Sequence, residues 1–183
     1  MTDHELLERL RAGDQDAFDV IFRTYYARLV QLAQGMLGER APAEEIAQDV
    51  MLEVWRRRKT LTVDTSFHGY LFRATRNRTL NHLRHDKVVQ RGSVFAAQET
   101  VAQPIGDREL VEHEIDVALK QALDQLPPRC REVFELSRMH GLKYAEIAAT
   151  LDISIKTVEA QMGKALRIMR QHLAQWLPKP SDV

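Results

Sequence analysis

Two short helical patterns meet at a corner of three residues between Tyr144 and Arg170. Ser154 is suited to cap the second helix, because a serine oxygen can accept hydrogen bonds from the free amides of a first turn. Asp152 tolerates the left-handed conformation that such a bend often requires. This spacing predicts a helix-turn-helix, whose second helix typically enters the DNA major groove. The apolar positions are Tyr144, Ile147, Ala148 and Leu151 in the first helix and Ile155, Val158, Met162, Ala165, Leu166 and Met169 in the second.

The formal net charge of the chain is zero, but its charges are segregated along the sequence. Residues 1–53 carry a net charge of −6, residues 54–91 carry +8, residues 92–128 carry −5 and residues 129–183 carry +3. Salt screens charges beyond ~8–10 Å, so local charge decides what each segment attracts. Two basic blocks separated by acidic ones predict two contacts with nucleic acid and acidic surfaces left for another partner.

Several classes of protein are disfavoured by composition. The chain has one cysteine, Cys130, among 183 residues, which excludes an intrachain disulfide framework and favours the cytoplasm. Its charged N-terminus and the lack of an apolar run of ~18 residues predict no membrane insertion. His82 and His85 form the one helically spaced histidine pair, without further ligands nearby, and no Gly-rich phosphate loop occurs. We therefore expect no metal, no cofactor and no catalytic residue.

The first three predicted helices span about Asp3–Ala12, a segment capped by Asp14 and ending near Leu37, and residues 43–59 after a break at 38–42. The aromatic residues of the second helix are expected in the core. The third has an apolar inner face and an outer stripe with Leu52 and Trp55 among charged residues. That stripe favours a docking surface, although Trp55 could instead pack beneath the next segment.

Ser66 is suited to cap a fourth helix that runs to about Arg91. Its apolar side is formed by Leu71, Phe72, Thr75, Thr79 and Leu83. The opposite side carries an aromatic ring, amides and guanidinium groups at Tyr70, Arg73, Asn77, Asn81 and Arg84. Such a stripe can stack bases and bind phosphates, although a solvated basic helix is the alternative.

Residues 92–106 lose helical periodicity and contain Gly and Pro, which predicts a linker. Helices are expected at about 107–125 and 129–139, before the helix-turn-helix. The fold class is therefore all-α, with two small helical domains joined by a flexible linker, the C-terminal one a helix-turn-helix.

Three segments in this order resemble a bacterial RNA polymerase sigma factor of the extracytoplasmic-function group, within the sigma-70 superfamily. AEEIAQDVMLEVW at 43–55 is similar to region 2.2 of that family, and FHGYLFRATRNRTLNHLR at 67–84 to regions 2.3 and 2.4. The segment LPPRCREVFELSRMHGLKYAEIAATLDISIKTVEAQMGKAL at 126–166 resembles region 4. The resemblance implies a region 2 domain at 1–91, a linker at 92–106 and a region 4 domain at 107–183.

The resemblance also implies three functional surfaces. Docking on the β′ clamp of core RNA polymerase is expected of Glu45, Gln48, Asp49, Leu52 and Trp55. Recognition and melting of the minus-10 element is expected of Phe67, Tyr70, Arg73, Arg76, Asn77 and Arg84, with the 60–67 loop holding a flipped base. Recognition of the minus-35 element is expected of Ser154, Lys156, Thr157, Glu159, Ala160, Gly163, Lys164 and Arg167. The implied partners are core polymerase through its β′ clamp and β flap, promoter DNA and an anti-sigma factor.

Two alternatives remain open from the sequence. A one- or two-component transcription regulator would explain residues 126–170 but gives no reason for the stripes at 43–55 and 67–84. An enzyme or RNA-binding module that uses the basic helix is the second alternative.

Overall fold

The computed structural model describes residues 2–89 and 107–176, and these residues form eight α-helices and no strand. The predicted all-α class is confirmed. The linker predicted at 92–106 lies outside the described residues. The helices are α1 (Asp3–Arg11), α2 (Gln15–Leu37), α3 (Arg40–Arg57), α4 (Phe67–Val89), α5 (Asp107–Asp124), α6 (Pro128–Arg138), α7 (Tyr144–Leu151) and α8 (Ile155–His172).

Local capping explains where several helices begin. The Asp14 carboxylate accepts from the backbone N–H groups of Asp16 and Ala17 at 2.9 and 3.3 Å, so α2 starts where the sequence predicts. The predicted break at 38–42 is too long, because α3 already begins at Arg40. Pro42 fits inside the first turn of α3 because the amides of that turn have no helical acceptor.

The buried side of α4 is the one predicted from its spacing. Leu71 and Phe72 are fully buried, and so are the threonines at 75 and 79. The hydroxyls of Thr75 and Thr79 donate to the carbonyls of Leu71 and Thr75 at 2.9 and 2.8 Å, which satisfies both polar groups inside the core. The opposite side of α4 is therefore left for other contacts.

Several apolar side chains lie on the surface, including Phe22, which the sequence analysis expects in the core. Phe22 is 37% exposed on the outside of α2, where it stacks on Tyr26 at 4.6 Å between ring centroids. Ile155 is 46% exposed because it is the first residue of α8 and precedes the turn that faces the core. Ile115 and Leu119 of α5 are also exposed, since α5 packs through its C-terminal half, where Ala122 and Leu123 are buried.

The N-terminal helices α1–α4 and the C-terminal helices α6–α8 share one continuous hydrophobic cluster. Phe72 of α4 packs against His140, which follows α6, at 5.3 Å between ring centroids. Arg28 of α2 donates to the backbone carbonyl of His140 at 2.6 Å. The next residue, Gly141, has φ of +71° and lies so close that an added Cβ would be 3.3 Å from the Arg28 guanidinium. A glycine therefore suits this junction on both counts.

His140 is buried at this junction, and its Nδ1 has no hydrogen-bond partner among the described residues. Burial, and then the neighbouring Arg28 and His68, lowers the pKa of His140 to about 4. Burial also lowers the pKa of His68, which lies in ring contact with Tyr25 and Phe72. Both imidazoles are therefore neutral in the packed structure at pH 7.

Acid should destabilise this packing. The pKa of His140 is lower in the folded chain than the ordinary 6.5. The contribution of neutral His140 to the free energy of unfolding is therefore fully present above pH 6.5 and is lost as pH falls towards about 4. Between pH 7 and pH 5 the loss from His140 is expected to be on the order of 2 kcal/mol. Urea unfolding at the two pH values should show a smaller difference for His140→Gln than for the unsubstituted chain, whereas the exposed His85→Gln should keep the full difference. Equal pH dependence in all three proteins would contradict the assignment.

Candidate nucleic-acid interfaces and docking face

The helix-turn-helix is formed by α7, a three-residue corner and α8. Asp152 ends α7 with φ of 55° and ψ of 50°, which is the predicted left-handed conformation. The backbone N–H of Ile153 donates to the carbonyl of Ala148 at 3.0 Å and closes the corner. The Ser154 hydroxyl accepts from the N–H of Thr157 at 3.1 Å, so the predicted cap of α8 is confirmed.

The inner face of α8 anchors it against the other helices. Val158, Met162, Ala165 and Met169 are buried. The opposite face is open: Thr157 is half-buried, and the other predicted minus-35 residues are exposed, namely Ser154, Lys156, Glu159, Ala160, Gly163, Lys164 and Arg167. Small residues at 160 and 163 leave room for a close backbone approach, with basic side chains on either side.

A second basic surface lies along α4, in a cleft of about 600 Å³ that we call the α4 cleft. Arg73 and Asn77 line it and are exposed, and Tyr70 is half-buried at its edge. Its lining comes from α3, the following loop and α4, and comprises Glu53, Arg57, Leu61, Thr62, Asp64, Tyr70, Arg73, Ala74, Asn77, Arg78 and Asn81. Arg84 is exposed further along the same helix.

Of the two acidic groups that line the α4 cleft, Glu53 is already paired. Arg57 donates to the Glu53 carboxylate at 3.1 Å, and Arg78 pairs with its other oxygen. The carboxylate is therefore offset by two guanidinium groups, and Arg73 stands exposed beside them. The cleft combines positive charge, amides and an aromatic ring, which suits an unpaired nucleotide.

Phe67 does not lie on the surface, as a residue expected to contact DNA should. Its side chain is 1% exposed, because it begins α4 against the core and meets Tyr25 edge-on at 5.9 Å between ring centroids. Tyr70 stacks on it with an interplanar angle of 10° and 6.4 Å between centroids. Phe67 thus supports the ring of Tyr70 from beneath.

Arg76 also departs from the expected arrangement. It lies outside the α4 cleft, and its guanidinium donates to the Glu132 carboxylate of α6 at 2.6 Å. The Arg76 side chain is 14% exposed in this ion pair. Periodicity could not show this, because the partner is 56 residues away in sequence.

The outer stripe of α3 is a separate surface. Glu45, Gln48, Asp49 and Leu52 are exposed, with Leu52 at 45%. Trp55 is half-buried, packing on Phe18 at 5.2 Å between ring centroids and lying under the Arg58 guanidinium at 4.2 Å. One side of the Trp55 ring packs inward, and the rest borders a hollow of about 350 Å³.

Sequence reasoning missed the contribution of α2 to this surface. Phe18, Phe22 and Tyr26 follow one another every four residues and continue the aromatic row from Trp55, with centroid distances of 6.4 and 4.6 Å along α2. The signal was available, because acidic residues at 16 and 19 alternate with these rings. We define the docking face as the α3 outer stripe together with this aromatic row.

Two family models match the chain. The model for sigma-70 region 2 matches residues 21–88, and the model for sigma-70 region 4 matches residues 116–169. The RNA polymerase sigma factor CarQ of Myxococcus xanthus is 30% identical, over 92% of this chain and 96% of that protein. The ECF RNA polymerase sigma factor SigM of Mycobacterium tuberculosis is also 30% identical, over 90% of this chain and 81% of that protein.

The chain belongs to the extracytoplasmic-function RNA polymerase sigma factors. Proteins of this family direct RNA polymerase to promoters, so this sigma factor serves transcription initiation. The α4 cleft falls within the residues that the region 2 model matches, and so does the docking face apart from Phe18. The helix-turn-helix falls within the region 4 match except for the last turn of α8.

Solved structures with the same fold include CnrH in complex with the cytosolic domain of CnrY, with a TM-score of 0.63 and 22% identity over 94% of this chain and 97% of that one. The sigma factor RpoE of Bartonella quintana, in complex with the anti-sigma factor NepR, gives a TM-score of 0.61 and 20% identity over 86% and 96%. Among residues 2–89 and 107–176, no group of three or more His, Cys, Asp or Glu side chains could hold a metal ion. No helix in that part of the sigma factor is long and apolar enough to cross a membrane.

The corner of the helix-turn-helix should tolerate glycine better than a β-branched residue. Asp152 adopts φ of 55°. This left-handed conformation has a higher free energy for a residue with a branched Cβ than for Asp. Asp152→Val is expected to lower the free energy of unfolding by about 1–2 kcal/mol, whereas Asp152→Gly should leave it equal or higher. Chemical denaturation measures both, and a Val variant as stable as the Gly variant would contradict the left-handed corner.

Proposed function

We propose that residues 1–91 and 107–183 of this sigma factor, joined by residues 92–106, read the minus-10 and minus-35 elements respectively while the docking face holds core polymerase. The proposal rests on three distinct exposed surfaces, which are the α4 cleft, the outer face of α8 and the docking face. Two of them are basic and one is apolar with an acidic rim. A one-component regulator needs one of these surfaces, whereas a sigma factor needs all three. The proposed mechanism requires no catalytic residue.

The α4 cleft is proposed to capture an unpaired base of the minus-10 element. Tyr70 offers a ring for stacking, Arg73 offers positive charge and Asn77 offers an amide at the cleft wall. Stacking a base on an aromatic ring is worth ~1–3 kcal/mol, which is comparable with the few kcal/mol that unstacking costs. Binding energy can therefore favour strand opening without ATP.

The α8 surface is proposed to read the minus-35 element in the major groove. Lys156, Lys164 and Arg167 can neutralise phosphates, and such contacts make affinity fall with salt. Glu159 can accept a hydrogen bond from the N4 amino group of cytosine. Ala160 and Gly163 present little side chain, so the helix can approach the base edges closely.

The docking face is proposed to meet the β′ clamp of core polymerase, and region 4 to meet its β flap. The apolar anchors of the face are Leu52, Trp55 and Phe22, and its acidic rim includes Asp16 and Asp49. A matching surface should present apolar side chains surrounded by basic ones. We also propose an anti-sigma partner, because the RpoE structure of the same fold holds one. The cytoplasm, where bacterial polymerase and promoters meet, is the proposed place of action.

Promoter-dependent run-off transcription with purified core polymerase tests the function. Core polymerase with this sigma factor should initiate at a fixed position on a cognate template, and Tyr70→Ala should reduce initiation by about tenfold through lost stacking. Tyr70→Trp, which keeps an aromatic face, is the matched control and should retain initiation. Absence of defined initiation on every promoter that responds to the protein in cells would refute the proposal.

Core binding should depend on the aromatic row of α2 as well as on α3. Phe22→Ala and Leu52→Ala remove exposed anchors and are each expected to weaken core binding about tenfold, with little loss of fold stability. Val20→Ala is the matched control, because Val20 is 40% exposed on α2 but lies outside the aromatic row. Titration of labelled sigma factor with core polymerase measures the affinities. Equal affinities of Phe22→Ala and Val20→Ala for core polymerase would show that the aromatic row of α2 is not part of the docking face.

A further inference from the structure

One side chain of α1 reaches the loop that forms a wall of the α4 cleft. The Arg11 guanidinium donates to the backbone carbonyl of Leu61 at 3.0 Å, across 50 positions of sequence. We call residues 61–64 the wall segment. In the part of the chain that the structure describes, this is the one hydrogen bond to the backbone of the wall segment. The conformation of the wall segment therefore depends on α1 as well as on α3 and α4, which it joins.

Burial alternates from residue to residue along the wall segment. Leu61 is 3% exposed and Val63 packs against the hydrophobic cluster. Thr62 and Asp64 are exposed and line the α4 cleft. In an extended segment, a shift by one residue would exchange the buried and the exposed side chains. A contact that fixes the backbone at Leu61 therefore also fixes which polar groups face the cleft.

The wall segment presents hydrogen-bonding groups to a base in the cleft. The Thr62 hydroxyl can donate or accept, and the Asp64 carboxylate can accept from the amino group of cytosine or adenine. Two guanidinium groups already occupy the oxygens of Glu53, whereas Asp64 has no ion pair among the described residues. The edge of a base stacked on Tyr70 can therefore be met from the wall segment.

Arg11 does not meet that base itself. It does not line the cleft, and another of its guanidinium nitrogens pairs with Glu8 of the same helix at 2.6 Å. Three buried leucines hold α1 against the core, namely Leu6, Leu7 and Leu10, so Arg11 projects from a fixed support. Helix α1 precedes the residues that the region 2 model matches, and the family match therefore does not cover this contact.

We propose that Arg11 is a positioning residue for the minus-10 element, which holds the wall segment so that its polar side chains face the captured base. The inference rests on the proposed capture of an unpaired base in the α4 cleft. A charge-assisted hydrogen bond suits this role, because it is stronger than one between neutral groups. Loss of the Arg11 guanidinium should leave stacking on Tyr70 intact and weaken the contacts to the edge of the base.

Abasic substitution in the promoter strand tests the proposal. The sample is core polymerase assembled with this sigma factor, and the probe is a single-stranded oligonucleotide with the non-template minus-10 sequence of a promoter that it transcribes. Fluorescence anisotropy measures the affinity with each base of the element replaced in turn by an abasic site. With the unsubstituted sigma factor, the position of the captured base should show an abasic penalty of about tenfold or more. In Arg11→Met, which keeps an aliphatic side chain without a donor, this penalty should shrink about threefold, because hydrogen bonds to the base edge are lost.

Variants on the same helix separate positioning from a general effect on the fold. Arg9→Met removes an equal charge, which pairs with Asp14, and should keep the full abasic penalty. Arg11→Lys retains a donor and should recover most of the penalty. An undiminished penalty in Arg11→Met would overturn the proposal. So would a loss of affinity in Arg11→Met that is equal for every probe and accompanied by a lower urea midpoint, since it would show a purely structural role.

A double-mutant cycle identifies the groups through which Arg11 acts. Asp64→Ala should reduce the abasic penalty as Arg11→Met does, and adding it to Arg11→Met should reduce the penalty no further. Because the penalty is a ratio of two affinities, a uniform effect of the removed charge cancels. Additive reductions would show that Arg11 does not act through the wall segment. If the unsubstituted sigma factor showed no position-specific penalty, the proposed capture of a base in the α4 cleft would fail, and the role of Arg11 with it.

Discussion

The packing of this sigma factor depends on a carboxylate placed where two helices begin. A charge as buried as that of Glu146 would be costly by itself, but here it receives hydrogen bonds from a hydroxyl and a backbone amide and lies at the positive ends of two helix dipoles. The same group therefore orders α7 and positions α4 against it. Because α7 precedes the corner that sets the direction of α8, the position of α8 is coupled to that of the α4 cleft.

Each of α2, α3 and α4 has one side in the hydrophobic core and an opposite side on the surface. In α4 the division is clean, because two buried threonines hydrogen bond within their own helix and leave the other side to basic and amide groups. In α2 and α3 the outer sides are apolar and aromatic, with acids around them. Opposite charge on neighbouring helices keeps the two exposed surfaces chemically distinct, so the proposed contacts with nucleic acid and with polymerase fall on different sides of region 2.

The features best predicted from the sequence are the helix caps and bends that depend on neighbouring residues alone. Asp14, Asp152 and Ser154 act within a turn of their own position, so their caps and bends could be read directly from neighbouring residues. The sides of α4 followed from periodicity for the same reason. What could not be predicted depends on distant partners: Arg76 meets Glu132, Phe22 stacks outside the core, and Phe67 is buried beneath Tyr70. Periodicity identifies a face of a helix but does not say whether another segment covers it.

The stacking of Tyr70 on the buried Phe67 has a consequence for the entropy of the proposed capture of a DNA base. A free tyrosine at the edge of a cleft would sample several rotamers, and fixing it on an incoming base would cost conformational freedom. Here the ring rests on a partner that is itself locked in the core, so much of that freedom is already lost when the chain folds. In the proposed capture of a base, the conformational entropy of this ring is therefore lost on folding and not on binding to the promoter.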